Sequence, residues 1–207
     1  MKINEIIKEN SSVGNEVIKK IDRECSPFLA EVGGWPFIEI HPLWRGMKSH
    51  WDGWNVISPP VDRRPRDTPQ LIHNALDLLF LEHAGVKYRS NSLFCTGSLT
   101  FASEYGKAYA IFPIGEYKYC WSPKYYDLTI ALDMAGFDVW PSSSQSATSP
   151  TTDLRHFFTD GEYQFNTGIR TAIRNGNEIM LYCAKAIAID IPFLNHHGGI
   201  INTNVIK

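Results

Sequence analysis

Three short stretches of this sequence combine side chains that can handle a charged small molecule. The first is Trp44-Arg45-Gly46. An arginine presents a rigid fork that pairs with phosphate or carboxylate through two hydrogen bonds, and a following glycine lets backbone and ligand approach closely. The second is Phe94-Cys95-Thr96-Gly97-Ser98-Leu99-Thr100-Phe101-Ala102, a strand running into a hydroxyl-rich turn and a short helix. Ser98 can cap that helix or orient a ligand or a carboxylate. The third is Asn177-Glu178-Ile179-Met180-Leu181-Tyr182, where a carboxylate stands at the change from loop to strand. A glutamate there can steady an oxocarbenium-like sugar cation or accept a hydroxyl hydrogen bond. Each also has an ordinary role: a strand-end ion pair, a helix cap, a strand-edge charge.

Other candidates surround these. Arg89, just before Ser90-Asn91-Ser92, can touch a phosphate, and so can the trio Arg63, Arg64 and Arg66, which can equally meet an acidic target. Solvated loop charge is the ordinary explanation for all four. Tyr105 or Trp121 can stack on a flat ring, with core packing as the alternative. His196-His197 makes no chelate, because neighbours in a strand point to opposite faces. His73 and His83 lie ten apart on one predicted helix and share no site. A carboxylate pair of Glu104 with Glu178 has no support in its spacing. No Gly-x-Ser-x-Gly elbow occurs, and no Cys-x-x-Cys pair suggests zinc.

The elements that must position these groups are legible in outline. Ile3, Ile6, Ile7, Val13, Val17, Ile18 and Ile21 have near-helical spacing, which predicts one or two helices broken near Asn10-Ser11-Ser12. Residues 36–46 alternate as a strand ending at Arg45-Gly46, and a long loop spans 47–67. A helix starts at Thr68-Pro69, capped by Thr68 or Asp67, and stops at Gly85. Its apolar face is read as Leu71, Ile72, Ala75, Leu78, Leu79 and Leu81. A short strand covers 92–97 and a short helix 100–105. Two strands, 109–114 and 117–121, are joined by a turn at Gly115, and a helix covers 125–135. Residues 141–152 read as a mobile polar loop, 153–174 as one or two helices, and 178–183 and 186–191 as two strands. Strands and helices interleave without βαβ regularity, so the class is α+β.

The 207 residues suit a single domain over 1–207, with a helical segment at 1–33 and a core at 36–192. A net charge of −2 argues against holding nucleic acid by bulk charge. The four cysteines, Cys25, Cys95, Cys120 and Cys183, lie in apolar stretches and read as buried free thiols. No signal peptide or membrane span is evident in the sequence, so the expectation is a cytoplasmic protein without a membrane partner.

Taken together and in this order, Trp44-Arg45-Gly46, Thr96-Gly97-Ser98 with Ala102, and Glu178-Ile179-Met180-Leu181 resemble the Arg–Ser–Glu, cholera-toxin-like class of the ADP-ribosyltransferase superfamily. The match covers roughly 36–192 as scattered short motifs. The resemblance implies a split β-sandwich with flanking helices that grips NAD, the only cofactor, used as substrate and without metal. It implies catalytic roles for Glu178, Ser98 and Arg45. Arg45, Gly46, Thr96, Ser98, Tyr105 and Arg89 would contact NAD. Arg45 would bind an NAD phosphate, Ser98 would position Glu178, and Glu178 would bind the nicotinamide ribose. The implied activity is mono-ADP-ribosyl transfer to a macromolecular acceptor, protein or nucleic acid, with nicotinamide released. A non-catalytic binding protein on the same fold and an NAD glycohydrolase are the alternatives. Two departures stand out: the middle motif is not Ser-Thr-Ser, and Gly176 stands where arginine-modifying members carry Glu or Gln. The stretch Asp62-Arg63-Arg64-Pro65-Arg66-Asp67-Thr68-Pro69, with Tyr105-Gly106 and Phe112-Pro113, is similar to phage proteins related to this fold, which implies a phage-encoded member acting in host cytoplasm.

Overall fold

A computed structural model describes residues 3–65, 68–137 and 151–196. Arg66, Asp67, the stretch 141–150 and His197 lie outside them. The elements in chain order are helices α1 (Ile3–Glu24), α2 (Ser26–Val32) and α3 (Trp35–Ile38), then strands β1 (Trp44–Met47) and β2 (Trp54–Ile57). Helices α4 (Gln70–Ala84) and α5 (Tyr88–Asn91) precede β3 (Leu93–Thr96), α6 (Leu99–Glu104) and β4 (Lys107–Trp121). Then come α7 (Leu128–Met134), α8 (Thr151–Asp160), β5 (Gln164–Phe165), α9 (Ile169–Asn175), β6 (Glu178–Asp190) and α10 (Ile191–His196). The protein is α+β. None of the described helices is long and apolar enough to cross a membrane.

The chain divides into two compact units. The first holds the residues up to Ser58, Cys95–Tyr117 and those from Cys183 onward; the second holds Pro59–Phe94 and Lys118–Tyr182. Strands β3, β4 and β6 each contribute residues to both.

In the first unit β1 pairs antiparallel with β4, Arg45 opposite Tyr109 and Gly46 opposite Ala108, and with β3 at Trp44 opposite Thr96. Strand β2 pairs with the end of β6, Trp54 opposite Ile189. Val17 and Ile21 of α1 and Phe28 and Val32 of α2 are buried with Phe112 of β4. Phe28 meets Phe112 edge-on at 6.3 Å, and the Cys25 thiol donates to the Phe112 carbonyl at 3.6 Å.

Several sequence expectations are corrected here. Helix α1 runs unbroken through Asn10-Ser11-Ser12, because residues of middling helix propensity cost only about 0.5 kcal/mol each and do not stop a helix. The strand expected from residue 36 begins at Trp44: Pro36 opens the short α3, and Pro42 has no N–H for a ladder. The expected long loop contains β2. The hairpin expected at Gly115 is one strand, in which Gly115 takes φ 68 as a local kink rather than a reversal. The two C-terminal strands are likewise one, β6.

In the second unit α4, α7, α8 and part of β4 enclose an aromatic core. Phe80 is its hub, meeting Tyr88, Phe158 and Tyr163 edge-on at 5.8, 5.0 and 5.0 Å. Such pairs contribute about 0.5–1.5 kcal/mol each beyond area burial. The buried face of α4 is Ile72, His73, Leu76, Asp77, Leu79 and Phe80. Leu71, Leu78 and Leu81, expected on that face, are 59, 61 and 42% exposed. Two polar residues occupy the inward register, so apolar periodicity alone rotates the helix wrongly. Thr68 does not cap α4; Pro69 takes that position, and the Thr68 hydroxyl accepts from Arg89 instead.

The loop after β1 is strapped down by ions and rings. Lys107 reaches Asp190 at 2.8 Å and Asp52 at 2.9 Å, and these two carboxylates hold its pKa above the usual lysine range. Trp51 stacks on Tyr109 at 4.6 Å. Asp190 is 1% exposed and also accepts from the Phe193 N–H at 2.9 Å. Removing Lys107 would strand a buried carboxylate, whereas Asp190→Asn leaves a lysine that still meets Asp52 and water. Lys107→Met is therefore expected to cost about 3 kcal/mol, and Asp190→Asn clearly less, by urea denaturation at pH 7. Equal losses would contradict this asymmetry.

Candidate functional site

Arg45, Gly46, Thr96, Ser98 and Tyr105 gather in the first unit. Pairing of Trp44 with Thr96 sets the end of β1 beside the turn that leaves β3. Within that turn Thr96 Oγ1 accepts the Ser98 N–H at 3.1 Å. Ser98 Oγ then caps α6 by accepting the Phe101 N–H at 3.2 Å. Thr96 is buried and braces the turn, while Ser98 retains a hydroxyl proton that can donate.

Helix α6 lies directly on β1. A Cβ on Gly46 would sit 1.9 Å from the Ala102 carbonyl oxygen and 2.9 Å from the Tyr105 Cβ. No side chain fits there, so this glycine is required by helix–strand packing. Arg45 is partly buried beside it. Burial is the largest influence on its guanidinium and lowers its pKa, with Cys95 acting the other way; it stays cationic at neutral pH. Tyr105 is 42% exposed and meets Phe101 edge-on at 5.6 Å.

Glu178 and Arg89 belong to the second unit. Helix α9 ends at Gly176 in the left-handed conformation, φ 74. The Asn177 N–H returns to the Ala172 carbonyl, and its side-chain amide donates to the Ser122 carbonyl at 2.9 Å. The Glu178 N–H donates to the Tyr126 carbonyl at 2.9 Å. These bonds fix where β6 begins and hence where its first carboxyl stands. That carboxyl is pushed up to about 8, mainly by burial and then by Asp127, against the opposing pull of Arg89 and Arg63. Asp127 is itself buried, as the cap of α7, accepting from the Ile130 N–H at 2.8 Å.

Arg89 is not the solvated loop charge that its sequence context suggests. It is 3% exposed. One terminal nitrogen donates to Thr68 Oγ1 at 3.1 Å, and the guanidinium lies 5.9 Å from the Phe94 ring centre. Arg63 sits over the same ring at 4.0 Å. Trp121 is core packing: it is 5% exposed, lies against Gly168 and donates to the Thr167 carbonyl at 2.8 Å.

Sequence reading missed a buried polar network on α4. Asp77 Oδ1 accepts the Arg89 N–H at 2.9 Å and the Ser90 N–H at 3.3 Å, and the Ser90 hydroxyl donates to Asp77 Oδ2. His73 Nε2 lies 3.0 Å from Ser90 Oγ. With the serine proton committed to Asp77, that nitrogen carries the imidazole proton and donates. Burial, then Arg89, pushes the His73 pKa down to about 4, so the ring is neutral near pH 7. The available signal was a His–Asp pair at i, i+4 in register with Ile72, Leu76 and Phe80. No group of three or more His, Cys, Asp or Glu able to hold a metal ion occurs among the described residues.

No protein-family model, curated protein or solved structure matches this chain.

Two outcomes follow from this geometry. Gly46→Ala is expected to lose at least about 2 kcal/mol, the scale of overpacking against backbone, whereas Ser98→Ala loses about 1 kcal/mol, the value of a helix cap. Thermal unfolding of both variants checks the order. A raised carboxyl binds its proton more tightly in the folded state, so its contribution is fully present below the ordinary value of 4.5 and is lost as pH rises through about 8. Glu178→Gln should therefore gain stability relative to wild type between pH 5 and pH 8.5. A difference that stays flat with pH would show that Glu178 titrates normally.

Proposed function

We propose that this chain is an NAD-dependent mono-ADP-ribosyltransferase, acting on a macromolecular acceptor. The observation that carries the reading is the fusion of three local features into one rigid piece: the arginine strand β1, the Thr96-Gly97-Ser98 turn on its neighbour β3, and α6 seated on Gly46. A glutamate opening a strand, with its carboxyl held near 8, is the second support.

In this reading Glu178 faces the nicotinamide ribose. The bond from ribose C1′ to the nicotinamide nitrogen breaks, and its electron pair leaves with neutral nicotinamide. The acceptor nucleophile forms the new bond to C1′ and releases its proton to solvent. The charge that develops on the ribose is positive, so Glu178 works as the carboxylate. Gly176 closes α9 where arginine-modifying enzymes of the resembled class carry Glu or Gln, so this side of the site offers no such group to an arginine acceptor.

Purified protein incubated in cell lysate with NAD labelled in the adenylate part should transfer label to protein or nucleic acid. Glu178→Gln should reduce that transfer roughly 100-fold or more, the usual cost of losing one charge-stabilising group. For the wild type, kcat/KM should rise with pH and level off above about 8, as Glu178 ionises. Free ADP-ribose as the only product would replace the transferase with a glycohydrolase. No turnover in any fraction would sink the enzymatic reading.

A further inference from the structure

We propose that Arg89 is a positioning residue for Glu178: its guanidinium, seated from behind by α4 and α5, is the fixed positive charge against which the Glu178 carboxyl ionises. The catalytic consequence rests on the reading of Glu178 given above; the coupling of the two charges does not. Arg89 is 3% exposed, so it has almost no surface to offer a ligand, and its charge acts inside the second unit. A cation buried that deeply is costly. Its guanidinium donates to the Thr68 hydroxyl at 3.1 Å, and its Nε has no hydrogen-bond partner among the described residues. One bond to a neutral hydroxyl does not offset that cost, and an apolar chain of the same length would pack there more cheaply. The action of Arg89 on Glu178 gives the buried charge a use.

The placement can be followed bond by bond. Asp77 of α4 accepts the N–H groups of Arg89 and Ser90 and the Ser90 hydroxyl, which seats α5 on α4. From α5 the Arg89 side chain reaches Thr68 and lies 5.9 Å from the Phe94 ring centre. Phe94 belongs to β3, the sheet neighbour of β6, and Glu178 is the first residue of β6. On the other side the Asn177 side-chain amide donates to the Ser122 carbonyl and the Glu178 N–H to the Tyr126 carbonyl, both at 2.9 Å. Guanidinium and carboxyl are therefore each anchored by bonds that do not depend on their mutual attraction. Groups fixed beforehand give up little further entropy when they interact.

The charges around the carboxyl single out Arg89. Burial and then Asp127, the cap of α7, push Glu178 up to about 8, while Arg89 and, less strongly, Arg63 pull it down. Arg63 is only partly buried, so water screens its charge more than that of Arg89. The Cys120 thiol of β4 and the Tyr163 hydroxyl ahead of β5 also answer to Glu178. Burial first and Glu178 next hold both well above their ordinary ranges, so near pH 7 they are neutral and add no charge of their own. Arg89, cationic at every accessible pH, is the buried counterweight to Asp127. Without it, burial and Asp127 meet only the screened charge of Arg63, and Glu178 ionises at a higher pH.

Carbon-13 NMR of the full chain, labelled at the glutamate side-chain carboxyl carbon, reads the Glu178 midpoint without any substrate, and Glu178→Gln assigns the signal. Arg89→Met should raise the midpoint by about one unit, the low end for losing a nearby opposite charge. Arg89→Lys keeps the charge and should raise it clearly less. The pH profile of kcat/KM should move upward with the midpoint in Arg89→Met and keep its high-pH plateau, whereas a packing defect lowers the plateau instead. Thr68→Val releases the guanidinium from its anchor and should also raise the midpoint; it decides the matter where Arg89→Met does not fold. An unchanged midpoint in folded Arg89→Met, or in Thr68→Val where that variant does not fold, overturns the proposal. So does a rise in Arg89→Lys equal to that in Arg89→Met. A raised midpoint in a chain that turns over no NAD keeps the positioning role and rejects the transferase. Turnover whose pH profile stays in place in Arg89→Met does the reverse.

Discussion

Asp77 occupies the inward face of a helix with 4% of its surface exposed, a place where an unsatisfied carboxylate would be costly. Its oxygens are satisfied by two consecutive backbone amides, of Arg89 and Ser90, and by the Ser90 hydroxyl. That arrangement dictates more than its own comfort. Two amides converging on one carboxylate oxygen hold the short helix α5 against α4. The position of α5 fixes Arg89, whose side chain runs inward to Thr68, and Ser90, whose carbonyl accepts from Arg63. His73 is held neutral by burial and then by the Arg89 cation, against the opposing pull of Asp77, whose Oδ2 lies 3.6 Å from its Nε2. One buried charge thus settles a tautomer, a helix orientation and the direction of two arginines.

The first unit rests on a steric constraint of a different kind. Gly46 leaves no room between β1 and α6, with the Ala102 carbonyl where a Cβ would stand. Close backbone approach transmits position rigidly, because no flexible side chain intervenes. The arginine before the glycine and the serine that caps the helix are therefore held by the same contact. A hydroxyl turn and an arginine strand can occur apart in many folds. Here neither can shift without moving the other.

The legible parts of this protein were those whose determinants are local. The run from Phe94 to Gly106 reads directly as strand, turn, capped helix and stop, because Ser98 and Gly106 act within a few residues. Helix α4 is legible in extent but not in face, since His73 and Asp77 occupy positions that periodicity assigns to hydrocarbon. Its three most conspicuous leucines, at 71, 78 and 81, face out instead. Strand β4 was cut in two because Gly115 carries the signature of a turn, whereas pairing with β1 at one end and β5 at the other keeps the strand continuous. For the candidate site, the residue types at 45, 98 and 178 were visible. The perturbation of Glu178 was not, because its causes, Asp127, Arg89 and Arg63, are 51 or more residues away in sequence.

Desolvation acts on the titratable groups of the second unit in one consistent direction, toward neutrality: the Glu178 carboxyl rises to about 8 and His73 falls to about 4. Once ionised, the Glu178 carboxylate meets any positive charge that develops beside it in a low dielectric, where the attraction is stronger than in water. Stabilisation of that kind is larger in the transition state than in the resting complex, which is the condition for raising a rate rather than merely tightening binding. A solvated glutamate would offer the same charge through a medium that screens it. The burial that costs the fold stability is thus also what strengthens this carboxylate's hold on a neighbouring positive charge.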